Sequence, residues 1–499
     1  MELTNIGLIQ CVIGAFIVLM GGMRSAILFL FFSSILQGSA AVQLPALGGS
    51  SIPPGQFALL FITLRIIAPR GGYIGLLPDA ISDNKWVFLF ASYGIVSAYI
   101  GPRLFAGMVD VYPMQPKGDF GLLDTIPLSP TPQNLTVGIY MLGALLISLL
   151  SYILCRRAGA GIAIVTASIA TGWFHIISGL LDLLTRGTPA ADILGLLRNA
   201  NYTLMDNSAG GFVRIIGVLP EASAYASLGF TLFVANAEMW YRSIRPRATG
   251  AVAIGLALML ILSTSSSAYV ALVGYAVFFL FRAILFPSVA PPGKLMMSAF
   301  AIAGMVFMLA VLQATVPGLT TAIGNLIADM TLDKAQSLSG QQRLFWATQG
   351  WHAFFDSYGL GIGPGSFRSS SLITAIIGSV GILGTAAFVL YLARVFEWTR
   401  RSSWGLGPTY RDSLAGALGS AALLSLIPAM MLAPHAAPSA LFSILAGSAI
   451  GLRKLEPEIA LTEHLANETG RHTPTPIGRE NATALAQRSR RSFVKATKP

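Results

Sequence analysis

The side chains best suited to chemistry are arginines set among aromatics and glycines in two polar stretches between apolar runs. Residues 339–371 read SGQQRLFWATQGWHAFFDSYGLGIGPGSFRSSS, with Arg343 and Trp346 on a helical pattern and Arg368 and Ser369 after four alternating glycines. Residues 211–226 read GFVRIIGVLPEASAYA, with Arg214 just before an apolar run and Glu221 at its start. Guanidinium groups bind phosphate oxygens through two parallel N–H bonds, so Arg214, Arg343 and Arg368 are candidate sites for an anion. Glu221 has two roles open to it. It can complement the dipole of a helix that starts at Pro220, or it can take a proton in catalysis.

Helical phase limits what the first stretch can do alone. At 100° per residue Arg343, Trp346, Gly350 and Ala353 share one face, and Phe345, Gln349, His352 and Asp356 share another. His352 lies about 180° from Arg343, so the two do not act on one atom of a substrate. The glycines at 359, 361, 363 and 365 permit unusual dihedrals and bring Arg368 back toward the membrane. They do not form a P-loop, because the Gly-Lys-Ser/Thr ending is absent. The hydroxyl block Thr264–Ser267 interrupts two apolar runs and is expected to satisfy backbone groups freed at a helical break. His175 reads as an interhelical hydrogen-bonding residue, and Asp182, Glu238 and Arg65 as charges near span ends. No His, Cys, Asp or Glu group has metal-ligand spacing, and no cofactor is expected.

These stretches need a frame, and the frame reads as membrane. Hydrophobic residues make up 54% of the chain and charged residues 11%, well below the share in soluble domains. Apolar runs long enough to cross a bilayer recur throughout, which implies an all-α polytopic integral membrane protein with about 11–13 transmembrane helices. Expected spans are 5–21, 24–40, 54–70, 85–104, 136–155, 160–184, 220–240, 248–264, 266–285, 294–314, 371–394, 411–432 and 437–452. This divides the chain into an N-terminal bundle (1–184), an outer loop (185–219), central helices (220–314), a large outer loop (315–370), C-terminal helices (371–452) and a basic, disordered tail (453–499). The two cysteines fall in or beside apolar runs and imply no disulfide framework. The first run lacks a basic n-region and is not expected to be a cleaved signal peptide.

Basic residues orient the frame. Arg156 and Arg157; Arg242, Arg245 and Arg247; Arg282 and Lys294; and Arg394, Arg400 and Arg401 all fall on one side of the expected spans, which makes that side and the C-terminal tail cytoplasmic. The net charge of +11 is accounted for in this way, with no nucleic-acid partner. The opposite side receives connections at about 105–135, 185–219 and 315–370, which hold Arg186, Arg198, Arg214, Lys334, Arg343 and Arg368. Arginines there, in a chain so poor in charge, raise the question of which anion they face. Little charge falls at mid-membrane, which disfavours a proton- or ion-coupled transporter.

Taken together, four blocks resemble the O-antigen ligase and O-antigen polymerase superfamily. They are Arg214-x-x-Gly217-x-x-x-Glu221-x-Ser223-x-x-Ala226; Leu262-Ser263-Thr264-Ser265; Ser339-Gly340-x-x-Arg343-x-x-Trp346; and Gly359-x-Gly361-x-Gly363 through Ser370, followed by Gly381-x-x-Gly384. The resemblance implies a helical glycosyltransferase using a lipid-linked donor on the outer face of the bacterial inner membrane. It implies that Arg214 and Arg343 hold the pyrophosphate of an undecaprenyl-pyrophosphate-linked glycan, among membrane lipids and beside chain-length regulator and export proteins. Ligases of the family carry a His-Asn pair after the glycine run, where this chain has Arg368-Ser369-Ser370. That departure favours a polymerase of oligosaccharide repeat units, for exopolysaccharide or O-antigen. The alternatives are a glycan ligase acting on a lipid or protein acceptor, and a glycolipid transporter or flippase.

Overall fold

The computed structural model describes residues 2–45, 50–68, 73–116, 121, 123–189, 191–200, 208–209, 212–299 and 338–454, and these are mostly helical. The N-terminal helices are α1 (Asn5–Leu19), α2 (Met23–Ile35), α3 (Pro54–Ile67), α4 (Leu77–Asp83), α5 (Lys85–Leu104), α6 (Pro132–Cys155), α7 (Ala160–Leu184) and α8 (Ala191–Gly195). The central ones are α9 (Ala222–Tyr241), α10 (Pro246–Leu262) and α11 (Ser266–Leu285). The C-terminal ones are α12 (Leu338–Asp356), α13 (Leu372–Phe396), α14 (Arg401–Trp404), α15 (Tyr410–Leu424), α16 (Leu426–Leu432) and α17 (Ala440–Leu452). The few strands are short antiparallel pairings in connections, such as Val42–Leu44 with Ser50–Ile52.

Among the described residues six segments are long and apolar enough to cross a membrane: α5, α6, α7, α11, α13 and the continuous run of α15 and α16. Five more apolar helices, α1, α2, α3, α10 and α17, have 17 residues or fewer. A 15-residue helix rises about 22 Å, short of a hydrocarbon core of about 30 Å. Among the described residues six of the expected spans are therefore full-length candidates, and shorter helices pack among them. The expected span 294–314 lies mostly outside the described residues, as does the tail from 455.

Helix starts follow local signals. The Thr4 hydroxyl accepts from the Gly7 amide, Thr409 from Asp412 and Ser439 from Phe442, while Pro54, Pro132 and Pro246 occupy first-turn positions. One start differs from expectation. Helix α9 begins at Ala222, so Pro220 precedes the helix and Glu221 is its N-cap in extended conformation, without a side-chain cap bond. Glu221 is thereby left outside the first turn. Helix α9 is buried on nearly every side and forms the centre around which α7, α10, α11, α15 and α16 pack.

Two ends of the bundle are polar. At one, Asp83 accepts from Tyr152 (2.7 Å) and pairs with Arg394 and Lys454 (3.2 Å each), and Arg156 donates to the Tyr152 hydroxyl (2.9 Å). The same end holds fully buried Glu238, which pairs with Arg242 and with Arg282 (2.7 Å) and accepts from the Tyr275 hydroxyl (3.0 Å). Arg242 also donates to the carbonyls of Ser402 (2.9 Å) and Ser403 (3.1 Å). The basic groups grouped by sequence thus do gather at one end. Arg242 and Arg282, however, are buried network members there, and Glu238 is their counter-ion.

The expected span 371–394 is broken. Within α13 Gly381 adopts φ 56° and ψ −157°, which parts the helix into two. A helical break frees backbone donors and acceptors that must be satisfied inside the protein. The loop after α12 does this. Its Ile362 and Gly363 amides donate to the carbonyls of Gly378 (2.9 Å) and Ser379 (3.0 Å), and the Ile382 amide donates to Gly359 (2.9 Å). The approach leaves no room for side chains. A Cβ on Gly361 would lie 2.6 Å from the Gly381 nitrogen, and one on Gly363 or Gly365 would strike the carbonyl of Ser97 or Gln133. All four loop glycines have φ between 77° and 92°. The glycine ladder is therefore a backbone plug. The Gly381→Ala change forces positive φ on a side chain and drives its Cβ into the Gly359 carbonyl. We expect it to cost about 2 kcal/mol or more of stability, and the Gly75→Ala change, in open space, less than about 0.5 kcal/mol, by thermal unfolding in detergent.

Candidate functional site

The opposite end of the bundle brings the candidate residues together, and two straps position them. The first begins at Asp182, near the end of α7. Its carboxylate pairs with Arg186 (3.0 Å) and Arg198 (2.7 Å) and accepts from the Ile216 amide (3.0 Å). Arg186 also donates to the Arg214 carbonyl (2.7 Å), and Arg198 Nε to the Gly217 carbonyl (2.7 Å). One buried carboxylate thus ties the backbone of residues 214–217 to the bundle. Two of the arginines that the sequence leaves looking for an anion, Arg186 and Arg198, have found it within the chain. Asp182 itself is only 7% exposed. Its signal in the sequence was its place at a span end with Arg186 four residues on.

The second strap is α12 and the loop behind it. Trp346, Gln349, Gly350 and Ala353 form the buried side of α12. Gly350 rests directly on the backbone of Thr374, where a Cβ would strike the carbonyl oxygen. Gln349, assigned by phase to the other face, is buried and accepts from the Tyr112 amide (3.1 Å). The Tyr112 carbonyl accepts from the Arg368 amide (2.9 Å), and the Arg368 guanidinium lies 4.4 Å over the Trp346 ring. The Ser370 hydroxyl donates to the Arg343 carbonyl. Ser369 is held by its amide on the Pro434 carbonyl (3.0 Å) and by its hydroxyl beside Thr374 Oγ1 (2.9 Å), so its hydrogen bonds anchor the loop.

The side chains converge electrostatically. Burial lowers the Arg214 guanidinium pKa from its ordinary value, and the charge of Arg343 lowers it further, against the opposing pull of Glu221 and Tyr269. Burial likewise lowers that of Arg368, where Tyr112 and Glu221 oppose and Arg343 adds to the shift. Arg343 and Glu221 thus act on both of the other arginines. Two of these arginines, Arg214 and Arg368, feel the carboxylate of Glu221, which also accepts from the Ser223 hydroxyl. Among the described residues no carboxylate forms an ion pair with Arg214, Arg343 or Arg368. Nε of Arg214, Nε of Arg368 and Nε1 of Trp346 are buried donors without a protein partner. Like charges held this close and partly desolvated repel, and an anion with several oxygens relieves both costs.

The other candidates lie elsewhere. His352 is exposed on the far side of α12. His175 is buried with its ring stacked on Tyr225 at 4.0 Å, and its Nε2 has no hydrogen-bond partner, so it packs and does not bridge helices as expected. Just before the hydroxyl block Ser263 donates to the Leu260 carbonyl (2.7 Å), but within it Ser265 pairs with the Ser267 hydroxyl (2.9 Å) and the buried Thr264 hydroxyl has no partner, so these bonds are not the backbone-satisfying ones expected of a helical break. Tyr269 from that block, Tyr112 and Gln349 are the site neighbours that sequence reasoning missed. Among the described residues no cluster of metal-ligating side chains occurs. The chain matches no family model, and no curated protein matches it. The fold and site together describe a mostly helical membrane protein with a cationic cluster at one end of its bundle.

The Asp182→Ala change leaves Arg186 and Arg198 without their counter-ion. It should cost about 3 kcal/mol and open residues 186–219 to trypsin. Unchanged thermal stability and protection would contradict the anchoring role.

Proposed function

We propose that this protein polymerises undecaprenyl-pyrophosphate-linked oligosaccharide repeat units, for exopolysaccharide or O-antigen, at the outer face of a bacterial inner membrane. The observation that carries the reading is the convergence of Arg214, Arg343 and Arg368 on one partly desolvated site with a single nearby carboxylate. A pyrophosphate diester supplies about two negative charges and oxygens on both sides, which suits three guanidiniums from separate straps. In this reading the basic end and the C-terminus face the cytoplasm, and the arginine cluster faces outward.

The chemistry follows from the charges. The acceptor hydroxyl oxygen attacks the anomeric carbon of the donor sugar, the bond from that carbon to the pyrophosphate oxygen breaks, and the hydroxyl proton passes to a base. Negative charge grows on the departing pyrophosphate, so preformed guanidiniums stabilise the transition state more than the ground state. Glu221 is the nearest carboxylate and takes the base role; its bond from Ser223 orients it. The stacking of Arg368 on Trp346 fixes one guanidinium plane without using its N–H donors.

The test is in cells. Arg214→Ala and Arg343→Ala should each lower the transfer rate by about 100-fold or more. Polymer should be lost, single repeat units should accumulate on lipid, and protein levels in the membrane should hold. Lysine at either position should recover only part of the activity, because an ammonium cannot bind bidentately. Accumulation of long lipid-linked chains would indicate a ligase. Full-length polymer from both alanine variants would sink the reading.

A further inference from the structure

Helix α12 has a face that neither the arginine cluster nor the protein core uses. At 100° per residue its circumference divides into sectors. The buried side, Trp346, Gln349, Gly350 and Ala353, meets α13. A polar sector carries His352 and Asp356. Roughly opposite the buried side lie Leu344, Trp351 and Phe355, which are 67%, 43% and 68% exposed. The Trp351 and Phe355 rings stack at 6.2 Å. Beyond the helix Tyr358 and Leu360 are exposed as well.

Neighbouring helices show the depth of this apolar stripe. The Leu360 carbonyl accepts from the Tyr93 hydroxyl (2.9 Å), and Gly363 is seated against Ser97 and Pro102, all on α5. Nearer the end of α5, ten residues beyond Tyr93, the Arg103 guanidinium lies 3.8 Å over the ring of exposed Tyr99. A Tyr-Arg pair near the end of an apolar, full-length helix is the arrangement that anchors a span at the boundary of lipid and water. Gly359 is bonded to Ile382, whose side chain is exposed beside that of Leu383 on α13. These bonds set exposed Leu360 beside α5 and α13, whose own exposed side chains include Val96, Ile100, Ile382 and Leu383.

We propose that α12 lies in the membrane interface, with Leu344, Trp351 and Phe355 in the acyl-chain boundary and His352 and Asp356 in water. The partner is the lipid bilayer itself. The sectors suit it: protein on one side, lipid on the other, and the polar sector between them turned to solvent. Buried at this depth, the arginine cluster sits at headgroup level, where phosphate groups of lipids reside. The proposal is independent of the transferase reading, since its test reads depth and not activity.

The full chain, with Cys11→Ser and Cys155→Ser, is placed in nanodiscs of phosphatidylethanolamine and phosphatidylglycerol and carries a nitroxide at Phe355→Cys or Asp356→Cys. Collisions with oxygen should exceed those with a water-soluble nickel chelate at 355, and the order should reverse at 356. Nickel access at 355 would place the stripe in water, and protection from both reagents would mean that protein covers it; either result overturns the proposal. A second measurement needs no cysteine. Lipids brominated near the headgroup should quench the wild-type tryptophan emission more than that of the Trp351→Phe variant, and equal quenching would also overturn it.

Discussion

The backbone pairing between the glycine loop and the break in α13 is the constraint on which the rest of this end of the molecule depends. A helix interrupted at Gly381 frees amides and carbonyls on a buried stretch of α13, and these need partners within the protein. The loop at 359–363 satisfies them, and it can do so only because glycines let two backbones meet. Once that loop is seated, α12 must lie against the first half of α13, and the chain must return past Trp346 to Ser371. Arg343 and Arg368 then have little choice of position. A conformational requirement of the main chain has become the placement of two charges.

The charges divide by what neutralises them. Glu238 is fully buried between Arg242 and Arg282, and Asp182 joins Arg186 to Arg198. These four contacts between arginine and glutamate or aspartate hold helices and straps together, and removing one member would leave a buried charge unmatched. Arg214, Arg343 and Arg368 are different. Glu221 acts at a distance on Arg214 and Arg368, and Arg343 repels both. A site for an anion is marked here less by the presence of arginine than by arginine that the protein itself has not paired.

Helical phase shows where reading from the sequence held and where it failed. It correctly put Trp346, Gly350 and Ala353 on the buried side of α12 and kept His352 away. It misplaced Gln349, whose side chain is turned to the Tyr112 amide by a loop more than two hundred residues earlier in the chain. Glu221 was read inside a first turn because Pro220 suits the first helical position, but the helix starts two residues later, at Ala222, and leaves Glu221 as an N-cap without a side-chain cap bond. For Gln349 a partner distant in sequence outweighed helical phase.

The sequence by itself determined the helical, apolar character of the protein, the gathering of its basic groups at one end, and the arginines worth watching. Those properties follow from composition and from period, which act locally along the chain. Only the tertiary structure decided which arginines pair with Asp182 and Glu238, that α13 is broken and plugged, and that Arg343 comes near both Arg214 and Arg368. Such facts depend on close approach between segments far apart in the chain, where burial sets the strength of each charge and leaves no trace in local pattern.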